Sequence, residues 1–338
     1  MYYIYLKINF GKYQMKKVLL VLTLCALTLS LCACGGGAYE TGGDGLSIVT
    51  TVFPAFDFAR EIAGESANVC LLVPPGSESH SFEPTAQDIL KIQNCDLLIC
   101  NGGESEAWLE EILGGVGESV RVLYMLECVN ALEEETVEGM QTPRGEHEHE
   151  HEHEHEHDGE EETEYDEHVW TSPVNAALIS RAICDSLCEI DSGNAEIYTE
   201  NCESYCEKLA ELDARFRDVV DNAARHTVIF ADRFPVRYFT EEYGLEYFAA
   251  FPGCADDAEP SAKTVAFLID KVREENCPAV FYIEFSNEKM ADIVCEDTEC
   301  EKLLFHSCHN VSRDELLGGV SYLSLMQANV ESLKEALH

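Results

Sequence analysis

Apolar and polar positions follow two different rhythms along this chain. Short apolar runs occur at Ser47–Thr51, Val69–Val73 and Asp96–Cys100, and again at Val228–Phe230, Leu245–Phe251, Val280–Ile283 and Leu303–Phe305. Each is short enough for a buried strand and rich in β-branched or aromatic residues. Between them lie stretches with apolar positions three and four apart: 55–63, 86–94, 235–243, 262–275 and 288–295. Strands alternating with helices of about ten residues predict parallel α/β sheets. The pattern appears twice, so the expected fold is α/β with two lobes, each a parallel-type sheet flanked by helices.

The middle of the chain is different. Residues 175–190 and 195–222 read as long helices, broken only at Ser192-Gly193-Asn194. Leu209, Leu212, Phe216 and Val220 recur on one face. A helix of that second length runs roughly 40 Å at 1.5 Å per residue, long enough to join the lobes as a rigid link. The predicted divisions are an N-terminal lobe over 46–173, linking helices over 174–225 and a C-terminal lobe over 226–338, closed by an amphipathic helix at 323–337.

The first 45 residues carry no such alternation. Lys12, Lys16 and Lys17 precede an apolar run from Val18 to Leu31, too short to span a bilayer and suited to a signal peptide. Met15 is a better start for it than Met1. The run ends in Leu31-Cys32-Ala33-Cys34 and then three glycines. This predicts a lipoprotein-type signal over 1–33, lipidation of Cys34 and a flexible Gly-rich tether over 34–45. The protein is then extracytoplasmic, held to a bacterial membrane only through its lipid.

Charge narrows the partners. The net charge of the 338-residue chain is −42, which excludes nucleic acid as a partner because a basic face is needed to meet phosphates. Much of the acidity lies in one stretch: residues 131–167 carry 17 acids against Arg144 alone. Inside it His147, His149, His151, His153, His155 and His157 alternate with glutamates. Both faces of such a strand would be polar, so it is a solvated loop, and imidazoles with carboxylates suit divalent metals such as Zn²⁺. Cys184/Cys188 and Cys202/Cys206 each share a helical face; they read as small buried thiols, with a thiolate zinc site as the sharper alternative.

Three more histidines sit where an ordered site would form. His80 follows the second strand, in Gly76-Ser77-Glu78-Ser79-His80-Ser81-Phe82-Glu83-Pro84. His168 closes the acidic loop, in His168-Val169-Trp170, and His306 follows Leu303-Leu304-Phe305. Ligand sites of open α/β sheets gather at such strand ends.

These segments, with the long central helix, Tyr243-Gly244-Leu245 and the tail Ser321–Asn329, resemble the zinc- and manganese-type solute-binding lipoproteins of ABC transporters, the zinc-uptake branch in particular. The likeness runs from about Leu46 to Leu337. It implies a metal site in the interlobe cleft with four ligands, two from each lobe, delivery of the ion to an ABC permease, and a monomer. His80 and His168 fall on the first two ligand positions and His306 on the fourth. Ala231 occupies the third and has no donor, so the adjacent Asp232 is the substitute. Glu259 and Glu284 are further candidates, and His309 a weaker one. The imidazoles favour Zn²⁺ over Mn²⁺. Two other readings stay open: a zinc-dependent extracellular hydrolase with Glu284 as general base, and a surface adhesin. No helix-borne HExxH motif supports the hydrolase, and the expected answer is that the chain is not an enzyme.

Overall fold

Short apolar strands bury both faces, as parallel sheets covered by helices require. The computed structural model describes residues 38–42, 45–77, 82–116, 120–141, 164–255 and 260–338. The leader, Cys34, His80, Glu259 and the alternating His/Glu loop lie outside them.

The N-terminal lobe holds β1 (Tyr39–Glu40), β2 (Leu46–Thr50), α1 (Phe53–Ala63), β3 (Ala67–Leu71), α2 (Ala86–Asn94), β4 (Leu97–Cys100), α3 (Trp108–Val116) and β5 (Arg121–Tyr124). Its sheet runs β1-β3-β2-β4-β5, parallel except for β1. α1 starts at a proline and ends at Gly64 with φ 56°, a conformation glycine adopts without Cβ strain. α2 starts with a capping box between Thr85 and Asp88. Three features escaped the sequence pattern: α3, β5 and the edge strand β1. Tyr39 and Glu40, expected in the tether, pair antiparallel with Leu71 and Cys70. The Tyr39 ring meets Phe56 edge-on at 5.7 Å, so an apolar contact joins backbone pairing to hold this edge.

Two helices connect the lobes, α4 (Pro173–Ile190) and α5 (Ala195–Asp221). The inward face of α5 is buried from Tyr198 to Val220. Tyr205 packs 6.0 Å from Phe58 of the first lobe, and Phe216 packs 4.9 Å from Phe239 of the second. One helix therefore braces both lobes.

The C-terminal lobe follows with β6 (Thr227–Phe234), α6 (Arg237–Tyr243), β7 (Glu246–Pro252), α7 (Ala262–Glu275), β8 (Ala279–Tyr282), α8 (Lys289–Thr298), β9 (Glu301–Leu304), α9 (Arg313–Leu317) and α10 (Tyr322–Leu337). Its four strands are all parallel, in the order β7-β6-β8-β9. α10 returns to the first lobe: Asp57, fully buried on α1, accepts from the Tyr322 backbone N–H at 2.9 Å and pairs with Arg60. Burial pushes the Asp57 carboxyl up to about 6 against the opposing charge of Arg60. One apolar cluster runs from Ile48 in β2 through α5 to Phe305 beyond β9, so the lobes share a core.

Candidate metal centre

Because the strands within each lobe are parallel apart from β1, their carboxyl ends gather loops on one side. Those loops enclose a cavity of about 30 Å³, lined among others by Ser77, His168, Arg233, Gly253, Glu284 and His309. Ser77 follows β3, Gly253 follows β7, Glu284 follows β8 and His309 follows β9. The space suits an occupant the size of a water or an ion.

His168 is held on every side. The turn Val169–Thr171 closes beneath it, with Thr171 donating from N–H and Oγ1 to the His168 carbonyl at 3.1 and 2.8 Å. The turn feeds into α4, whose N-cap Ser172 accepts from Asn175 N–H. Asn101 donates to the Glu167 carbonyl at 2.7 Å, and Tyr238 donates to the Asp166 carbonyl at 2.8 Å. The loop is thus pinned from both lobes.

The ring itself is buried, 1% exposed, and Asp166 Oδ1 lies 3.2 Å from its Nδ1. A carboxylate there orients the imidazole and raises its basicity, as in carboxylate–histidine–metal arrangements. Burial alone would lower the His168 pKa, but the Asp166 charge and hydrogen bond, with Glu167 and Glu134, outweigh it and raise the pKa above 6.5.

The sign of the pH effect follows. In the metal-free protein His168 contributes stability that is fully present below pH 6.5 and is lost as pH rises through its higher folded value. A bound metal needs the neutral ring, so protons compete from a higher pH than for an ordinary histidine. Zinc affinity is expected to fall at least tenfold per pH unit once His168 protonates, since each ion displaces at least that one proton. Competition with a fluorescent chelator at about pH 7.5, 6.5 and 5.5 measures it, and a flat response would count against His168 as a ligand.

His309 stands opposite. Its ring centroid lies 5.3 Å from His168 and 5.1 Å from Trp170. Cys308 just before it has φ 63°, a left-handed turn uncommon for a side chain with Cβ. Glu284 reaches the same cavity, its carboxylate accepting from Ser307 N–H at 2.7 Å and Ser307 Oγ at 2.5 Å.

Of the other described candidates, neither His306 nor Asp232 is among the residues lining the cavity, although His306 Nδ1 lies 3.6 Å from Glu284 Oε1. His306 does not line the cavity; its N–H donates to Asn329 at 2.8 Å and its Nδ1 accepts from Cys308 N–H at 2.9 Å. The loop after β9 thus brings His309 rather than His306 to the cavity wall, with the left-handed Cys308 between them. The buried Nε2 of His306 has no hydrogen-bond partner among the described residues.

Asp232 does not line the cavity either. Its carboxylate accepts from Arg233 N–H at 2.8 Å and Ile283 N–H at 3.3 Å, which ties β6 to the loop after β8. Ala231 belongs to the apolar cluster behind the sheet. The β6–β7 register shifts between Phe230 and Arg233, and Arg233 lines the cavity instead. Among the described residues no group of three or more His, Cys, Asp or Glu is gathered tightly enough to hold a metal. His80 and Glu259 lie outside them, three residues beyond Ser77 and four beyond Ala255.

Gly253 tests how closely the wall fits. A Cβ there would lie 2.9 Å from the Phe234 carbonyl oxygen and 3.2 Å from His168 Nδ1. Gly253→Ala is expected to cost about 1–3 kcal/mol of stability by overpacking. It is also expected to weaken zinc about tenfold by displacing the ring, the usual cost of disturbing a ligand's support. Thermal unfolding and a zinc titration read the two effects, and unchanged affinity would show that the ring is not what the glycine spares.

Comparison with known proteins agrees with this architecture. The family model described as the zinc-uptake complex component A, periplasmic, matches residues 48–336. The high-affinity zinc uptake system protein ZnuA of Bacillus subtilis is 31% identical over 321 residues, covering 94% of this chain and 97% of that protein. The zinc-binding lipoprotein AdcA of Streptococcus pneumoniae is 30% identical over 95% of this chain, which spans 61% of AdcA's length. Among solved structures, the Zn(II)-bound ZnuA-like domain of that AdcA superposes with TM-score 0.69 at 26% identity, covering 87% of this chain and 99% of the domain. The metal-dependent lipoprotein YcdH of B. subtilis gives 0.71 at 26% identity, covering 86% and 99%. With the model matching nearly all of both lobes, this chain belongs to the ZnuA family of zinc-uptake components.

Proposed function

We propose that this protein captures Zn²⁺ outside the cytoplasm, through His80, His168, His309 and Glu284, and delivers it to an ABC permease. The observation that carries the reading is the small cavity at the strand ends, where the His168 and His309 rings lie 5.3 Å apart beside Glu284. Three neutral imidazoles and one carboxylate close a tetrahedral zinc shell without an open water position. A closed shell favours capture and release over hydrolysis, which needs an exchangeable water. Imidazole donors also favour zinc over manganese.

Delivery requires release without unfolding. The shared core and the brace of α5 permit small tilts of the lobes rather than a wide hinge. Cys34 carries the lipid that keeps the monomer at the membrane. The alternating His/Glu stretch holds extra zinc weakly through its imidazoles and carboxylates.

Zinc stoichiometry and affinity on the mature chain and on a chain lacking residues 146–157 test this reading. The deletion is expected to remove weak sites and leave one tight site. Loss of the tight site with the loop would overturn the assignment to the cavity. Turnover of a peptide or ester by the zinc-loaded protein would favour the hydrolase instead.

A further inference from the structure

Thirteen cysteines are unbridged among the described residues. Most serve as small apolar residues. Cys184 and Cys188 lie along one helix with their sulfurs 4.0 Å apart, and Cys202 and Cys206 do the same on the next. One pair is placed differently. Cys295 sits in the last turns of α8, and Cys300 immediately precedes β9. Their sulfurs are 3.3 Å apart, in contact across a turn rather than along a helix.

The chain between them is folded for this approach. Glu299 takes φ 61°, a left-handed helix end, and its N–H donates to the Cys295 carbonyl at 2.8 Å. A disulfide needs the sulfurs about 2.05 Å apart, so bonding requires a movement of little more than an ångström in a turn already closed. Both residues are half-buried and reachable.

Access is one-sided. Cys300 lines an open groove of about 650 Å³, along with Arg273, Asn276, Glu299, Glu301 and Glu335. Arg273 is paired with Asp297, and three glutamates face the groove. An acidic groove draws cations and repels anions.

We propose that Cys295 and Cys300 form a redox-active dithiol that closes to an intramolecular disulfide by exchange with a small cationic disulfide. The Cys300 thiolate attacks one sulfur of the reagent, whose S–S bond breaks and releases one thiol. The Cys295 thiolate then attacks Cys300 Sγ in the mixed disulfide and expels the second thiol. The protein loses two electrons and two protons, and the reagent gains both as two thiols. Burial pushes the Cys295 thiol up to about 12, with the neighbouring Cys300 adding to the shift and Lys302 opposing it. Cys300 lines the groove and Cys295 does not, so Cys300 meets the reagent first and Cys295 serves as the resolving thiol. The bond ties the end of α8 to the start of β9, the strand whose far end carries the cavity loop.

Cystamine provides the probe. The full-length protein is treated with it, quenched under denaturing conditions with a maleimide and digested for mass mapping. The peptide spanning 290–302 is expected to lack two hydrogens, with no cysteamine and no maleimide attached. Cys295→Ser is expected to trap cysteamine on Cys300, and oxidised glutathione, being anionic, to react at least tenfold more slowly than cystamine. Persistent cysteamine on both cysteines of the wild-type protein, or maleimide on both after full reaction elsewhere in the chain, would overturn the proposal. So would equal rates for the two reagents, which would remove the acidic groove from the argument.

Discussion

Replacing His309 by alanine is expected to lower zinc affinity by a hundredfold or more, as is replacing His168, whereas His306→Asn should leave it within a few fold. The contrast rests on where two residues of one loop point. His309 lines the cavity with its ring 5.3 Å from His168, and His306 does not. Removing a direct ligand costs more than disturbing its support, which alone is worth about 10–100-fold. Asparagine at 306 keeps an acceptor where Nδ1 now receives the Cys308 N–H, so the left-handed turn that presents His309 survives. Competition titrations of the three variants, with circular dichroism to establish folding, decide the matter. Tight zinc retained by His309→Ala but lost in His306→Asn would move the site behind the loop.

That contrast also marks the limit of what the chain's pattern discloses. Most strands and helices of both lobes were legible because they repeat apolar positions with regular periods, whereas α3 and β5 were not. His168, where the acidic loop joins Val169-Trp170, lines the cavity. His306 and His309 follow the same strand and look alike from the sequence; a left-handed Cys308 separates them, and no periodicity encodes a positive φ on cysteine. Asp232 stays out of the cavity lining for a related reason. Strict alternation along β6 would turn one of Ala231 and Asp232 to the cavity, but the register shift after Phe230 carries Arg233 there instead. Edge strand β1 was missed because two residues leave too short a period to detect. A polar contact such as Asp57 with Tyr322, 265 residues apart, has no local signature at all.

Trp170 is where stability and metal capture meet, and its substitutions should separate them. The side chain is fully buried. Its Nε1 donates to the Ser307 carbonyl at 2.8 Å, and its own carbonyl accepts from Tyr322 Oη at 2.7 Å. The ring packs against His168 at 5.6 Å and His309 at 5.1 Å. Ser307, in turn, binds Glu284 through N–H and Oγ. One indole thus spaces both imidazoles and steadies the residue that holds the carboxylate. Trp170→Ala opens a large cavity and is expected to cost about 3–5 kcal/mol. Trp170→Phe keeps an aromatic wall but strands the buried Ser307 carbonyl, at about 1–3 kcal/mol. Zinc affinity is expected to fall about tenfold or more in the phenylalanine variant, since a support is lost rather than a ligand. Thermal unfolding with and without zinc separates the effects: the zinc-free midpoint reports packing, and the zinc-induced rise reports the site. A phenylalanine variant with a lowered zinc-free midpoint but an undiminished zinc-induced rise would mean that the indole braces the lobes without positioning the histidines.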